Sequence, residues 1–165
     1  MRGVGFVAAM VLASACVSLP AMADEPIAIY GLDLSMTVSE LTGTLELKHF
    51  QCAGDMFQIR CRDSSRQKLI QLVNTQTMPF KDSSVEKIVF SCEITKTCGM
   101  SIKTVAEELV SNRTVPAITF VKSKFPTLYA GYYEYTAPDG TSVTVSTANY
   151  GSTEIALTHQ LKRAY

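Results

Sequence analysis

Two short stretches constrain this chain more than any other. Ser35-Met36-Thr37-Val38-Ser39-Glu40-Leu41 has the form of a helix start, and Gly99-Met100-Ser101-Ile102-Lys103-Thr104-Val105 repeats it at a shift of 64 residues. Thr37 and Glu40 have capping-box spacing. The hydroxyl can accept from the backbone N–H three residues on, and the carboxylate can reach back to the cap's own N–H. Val38, Leu41 and Leu45 then share one helical face, and a helix is expected to end near Lys48. In the second copy Ser101 is the cap, and Ile102, Val105, Ala106, Leu109 and Val110 form the apolar stripe, closed by Ser111-Asn112.

Between and after these helices the periodicity drops to two. Phe57, Ile59 and Cys61 alternate with Gln58, Arg60 and Arg62, and Ile88, Phe90 and Cys92 lie on one face of a second strand. Residues 50–52, 68–73, 117–121, 129–136, 142–147 and 154–161 also read as strands, although 68–73 fits a short helix as well. Residues 75–84 read as a loop. Pro138-Asp139-Gly140 is a strong hairpin turn, and 149–152 turns again. The expected fold class is therefore α+β: two helix-plus-antiparallel-meander units in tandem, about 30–95 and 96–165, with helices packed on one largely antiparallel sheet.

The first 23 residues read as a targeting segment. Arg2 supplies the positive charge, an apolar run spans 4–19, Pro20 breaks it, and Ala21-Met22-Ala23 has the small-residue cleavage pattern. This predicts a single exported domain over 24–165 with no membrane insertion after cleavage. A membrane anchor is the first alternative. A lipoprotein signal is the second, with Leu12-Ala13-Ser14-Ala15 ahead of Cys16. Cleavage after Ala23 removes Cys16 and leaves Cys52, Cys61, Cys92 and Cys98. An even count in an exported chain predicts disulfides. Three pairings are open, and the near-neighbour one, Cys52–Cys61 with Cys92–Cys98, is preferred. The gaps of eight and five residues suit neither a zinc knuckle nor a dithiol redox motif.

Lys and Arg together number 15, and so do Asp and Glu. Both signs are scattered along the chain, so no nucleic-acid partner is expected. The two histidines, His49 and His159, lie at a helix end and on a terminal strand. No nucleophile elbow, phosphate loop, zinc-protease helix or dinucleotide fingerprint occurs. Glu107-Glu108 reads as a solvated helix face. Catalytic, cofactor-binding and metal-binding residues are therefore expected to be absent. The suggestive surface is the tyrosine-rich strand. Tyr129, Tyr133 and Tyr135 share one face of it, with Tyr132 and Glu134 on the other. Such a row offers aromatic anchors for an unidentified protein partner. Asn112-Arg113-Thr114 has the form of a glycosylation sequon.

The helix starts carry a resemblance. The β-lactamase inhibitory proteins, and the related small lipoproteins of the outer-membrane barrel-assembly machinery, open a helix-then-meander unit on G-M-T/S-x-x-E-V/L. The first copy here has Ser35 in place of Gly, and the second has Thr104 in place of the acid. The inhibitors carry two such units with a disulfide in each, whereas Cys92 and Cys98 precede their helix. The resemblance implies a fold more than an activity. The repeat, the disulfides and the tyrosine strand together point to an exported, non-enzymatic protein-binding module, periplasmic or secreted and of inhibitor-like type. An envelope-associated structural lipoprotein and an enzyme of unrecognised type are the alternatives.

Overall fold

The computed structural model describes residues 26–55, 57–74, 85–124, 130–148 and 151–159. The targeting segment, the 75–84 stretch, Tyr129 and the 149–150 turn residues lie outside them. The elements run α1 (Val38–Leu47), β1 (Gln51–Gly54), β2 (Gln58–Arg62), β3 (Leu69–Val73), β4 (Lys87–Phe90), α2 (Cys92–Thr95), α3 (Ile102–Ser111), β5 (Thr119–Lys122), β6 (Gly131–Thr136), β7 (Thr141–Thr147) and β8 (Thr153–His159).

All eight strands form one antiparallel sheet in the order β1-β2-β3-β4-β8-β7-β6-β5. Each four-strand run is a local meander, and β4 and β8 join the runs at the centre, with Ile88 opposite Leu157 and Phe90 opposite Ile155. The pairing registers align one row across the whole sheet: Cys52, Cys61, Ile70, Phe90, Ile155, Val145, Tyr133 and Phe120. The side chains of this row from Cys52 to Tyr133, with their neighbours, form a single apolar core, which also takes Leu41 and Leu45 from α1, Ile94 from α2, and Val105 and Leu109 from α3, while Phe120 at the edge is exposed.

This corrects the expected fold class. Of the described residues 39% are strand and 22% helix, an eight-stranded antiparallel sheet with small helices, and not helices packed on a sheet in tandem units. The physical reason is continuity. The β4–β8 ladder makes the two meanders one sheet, and both helix faces enter one core, so neither half buries its apolar surface alone. A second departure is local. The strand expected to run through Cys92 stops at Phe90, because Ser91 takes an N-cap conformation and starts α2.

The helix ends show why these stretches start and stop where they do. The Thr37 hydroxyl accepts from the Glu40 N–H at 3.2 Å, and the Glu40 carboxylate accepts from the Thr37 N–H at 2.7 Å. Those hydrogen bonds from Thr37, backbone first, hold the Glu40 carboxyl below the usual range. Ser101 accepts from the Thr104 N–H at 3.2 Å, and its hydroxyl meets the Thr104 hydroxyl at 2.8 Å. This cap therefore lacks the returning carboxylate.

Both long helices close with the same C-terminal motif. The Phe50 N–H donates to the Leu45 carbonyl and the His49 N–H to that of Glu46. Thr114 to Leu109 and Arg113 to Val110 repeat the pattern on α3. His49 and Arg113 occupy the left-handed position at φ 64° and 58°, where glycine is usual. A side chain there costs roughly 1–2 kcal/mol, partly offset by the greater chain entropy that glycine loses on folding. His49→Gly and Arg113→Gly are each expected to stabilise the chain by about 0.5–1 kcal/mol in urea unfolding. A loss of stability in both would contradict the assignment.

Candidate functional site

The core occupies one face of the sheet, and among the described residues Leu41, Leu45, Ile94, Val105 and Leu109 of the helices belong to it. The other, outer face follows from the alternation along each strand. Its central row, read across the registers, is Ala53, Arg60, Gln71, Val89, Ala156, Thr144, Glu134 and Thr119. Val89 and Ala156 at the centre are buried, while Gln71, Thr144 and Glu134 are half-buried and Arg60 and Thr119 exposed. The face is therefore a polar surface over a small apolar middle, on a rigid sheet.

At one end of this face β1, β2 and the turn after β2 enclose a groove of about 690 Å³. Gln51 and Ala53 form its floor, Arg60, Arg62 and Arg66 supply its positive charge, and Asp63 and Ser64 complete the lining. Arg60 and Arg62 are two residues apart on β2, so their side chains leave the same face. The turn places Arg66 beside them. The Arg66 N–H donates to the Asp63 carbonyl at 2.9 Å, and Arg66 itself is left-handed at φ 60°. The Arg62 guanidinium donates to the Arg66 carbonyl at 3.3 Å. Arg60 is held more firmly, with Nε at 3.2 Å and Nη2 at 2.9 Å from Gln58 Oε1. The Gln58 amide in turn donates to Gln71 Oε1 at 2.9 Å.

The two carboxylates nearby are committed to backbone turns. Asp63 accepts from the Ser65 hydroxyl and from the Lys68 N–H, and the Ser65 bond foremost keeps its carboxyl below the usual range. Asp55 accepts from the N–H groups of Phe57 and Gln58, and these lower its carboxyl in that order. Among the described residues no carboxylate is in ion-pair contact with Arg60, Arg62 or Arg66, whereas Lys103 and Glu107 on α3 do pair, at 3.7 Å. The β1–β2 hairpin is also closely built. A Cβ on Gly54 would lie 2.0 Å from the Gln58 carbonyl oxygen, so only glycine fits there.

The structure separates the residues that the sequence singles out. Thr37, Glu40 and Ser101 are helix caps, and the cysteines are bonded as Cys52–Cys61 and Cys92–Cys98. Tyr133 and Tyr135 are half-buried and pack against the core, on the opposite side of the sheet from Tyr132 and Glu134. Phe120 stacks on Tyr133 with ring centroids 5.1 Å apart. His49 and His159 are exposed. Donor atoms of Cys92, Glu93 and Cys98 lie within 4.8 Å of one another, but the two sulfurs are one disulfide and offer no thiolate. A second cavity, of about 210 Å³, lies between the Ile29 turn, α2 and α3, and it is smaller than ordinary ligand sites.

The arginine groove is what sequence reading missed. Equal numbers of acids and bases hide it, and its one local signal is Arg-x-Arg on a strand followed by a turn that ends in arginine. No family model, curated protein or solved structure matches the chain. No helix among the described residues is long and apolar enough to cross a membrane, and two disulfides fit a chain that matures in an oxidising compartment.

Proposed function

We propose that the chain is a non-enzymatic protein-binding module, exported to the periplasm or secreted, that binds its partner on the outer face of the sheet. The observation that carries this reading is that face itself. It is a broad polar surface over a buried apolar middle with an arginine groove at one end, and the core lies on the other side of the sheet. Val89 and Ala156 are already buried, at 8% and 5% exposure, so what a partner meets there is the polar surround of Gln71, Thr144 and Glu134. The inhibitor-like form of the reading has support from the two helix-start motifs alone. Placing the partner on the outer face also moves the binding surface away from Tyr133 and Tyr135, which pack against the core.

The test is retention of partner proteins from cell-envelope extract by the immobilised mature chain. Thr144→Arg places a long charged side chain at the middle of the face, and Glu107→Gln is a control on the exposed surface of α3. The reading expects at least a tenfold loss of recovered partner for Thr144→Arg, with its melting curve still cooperative, and none for Glu107→Gln. Equal recovery by all three proteins would refute it.

A further inference from the structure

We propose that the groove over β1 and β2 takes an extended acidic segment of the partner protein, with carboxylates at every second residue meeting Arg60 and Arg62. The proposal rests on the protein-binding reading above and names the chemistry of what binds.

Four observations carry it. First, three exposed guanidiniums line one groove of about 690 Å³ in a chain whose net charge is zero with them included. Secondly, among the described residues none of them is in ion-pair contact with a carboxylate, since Asp55 and Asp63 turn their oxygens to their own turns. Asp63 lines the groove and Asp55 feels the charge of Arg60, so three guanidiniums face two carboxylates and the described groove keeps a net positive charge. Thirdly, Arg60 is oriented before anything binds. The Gln71–Gln58–Arg60 chain occupies its Nε and one Nη2 hydrogen and leaves the Nη1 hydrogens free. A guanidinium held in this way loses less freedom when it pairs with a carboxylate. Fourthly, the spacing selects the form of the anion. Residues two apart on a strand are roughly 6.6–6.8 Å apart, and so are alternate residues of an extended peptide. The arginines are strung along the strand and the turn rather than converging on one point, which suits a row of carboxylates better than a single phosphate. Three cations without lysines also make a small footprint for a lipid surface or for nucleic acid.

The experiment uses the mature disulfide-bonded chain and a fluorescein-labelled decapeptide of alternating Glu and Thr, read by fluorescence anisotropy at low salt. A peptide with Gln for every Glu is the first control. The expected result is binding of the acidic peptide at least tenfold tighter than the Gln peptide, weakened as salt rises. Arg60→Gln should weaken it about threefold, and R60Q/R62Q/R66Q together at least tenfold. Lys103→Gln, which removes the same charge from α3, should leave it unchanged. Equal binding of the two peptides, or equal loss in Lys103→Gln and the triple variant, would overturn the proposal. So would displacement of the acidic peptide by equimolar inorganic phosphate, or preference for vesicles of phosphatidylglycerol over the peptide. If the peptide fails while Thr144→Arg still abolishes partner recovery, the acidic-segment proposal falls and the protein-binding reading stands. If Thr144→Arg has no effect either, both fall.

Discussion

Phe90→Ala is expected to cost about 3–5 kcal/mol of folding stability, the usual loss for deleting a fully buried aromatic side chain. Phe90 is 0% exposed and is among the largest side chains so enclosed. It lies on β4, opposite Ile70 of β3 on one side and Ile155 of β8 on the other. It therefore sits where the two meanders meet, and a cavity there has covalently separate walls from both halves of the chain. Ladders on either side hold those walls apart, which limits the collapse that would soften the loss. In thermal unfolding the shift is roughly 10–20 °C for a domain of this size. Phe57→Ala is the matched control. Phe57 is 46% exposed beside the β1–β2 turn, and its loss is expected to stay within about 0.5 kcal/mol. Similar losses in the two variants would show that the β4–β8 junction is not the centre of the core.

What the sequence discloses and what it hides divide along the range of the interactions. Caps are local, so Thr37 with Glu40, and Ser101, can be read from spacing alone. Near-neighbour disulfides are local too, since Cys52 and Cys61 close a hairpin and Cys92 and Cys98 close the α2 turn. The sheet order is not local. Nothing in Ile88 or Leu157 announces that they face one another sixty-nine positions apart. The helices dominate the sequence pattern for a related reason. A ten-residue amphipathic stripe is a strong pattern in one place, while eight strands of four to seven residues each give a weak one. Tyr133 and Tyr135 show a different limit. Alternation puts them on one face, but only the fold decides that it is the face turned to the core. Arg60, Arg62 and Arg66 show the same limit from the other side. Period two unites the first pair, and a turn with a left-handed arginine brings the third.

Removing the two disulfides separately should give similar losses of stability and different losses of binding. By the chain-entropy argument, sequence separations of 9 and 6 residues correspond to stabilisation of about 2–3 kcal/mol each at 25 °C. C52A/C61A and C92A/C98A should thus shift urea unfolding by comparable amounts. Their local consequences differ because of where they lie. Cys52 and Cys61 are directly opposed in the ladder with Cα atoms 4.0 Å apart, and β1 is an edge strand whose one ladder partner is β2. Without the bond, β1 keeps only the backbone ladder and the contact of α1 to hold it, so its amides should exchange with solvent faster than those of β3 and β4. Gln51 and Ala53 on β1 form the floor of the arginine groove. C52A/C61A should therefore weaken binding of the acidic peptide by about threefold or more, because ordering β1 again draws on the binding energy. Cys92 is buried at the start of α2, and its bond to Cys98 braces the approach to α3, while α2 gives Ile94 to the core and lends no residue to the lining of the groove. C92A/C98A should lose stability and leave peptide affinity unchanged under conditions where both variants are folded. Equal weakening by the two variants would separate the groove from β1 and place the arginines' ligand elsewhere on the outer face.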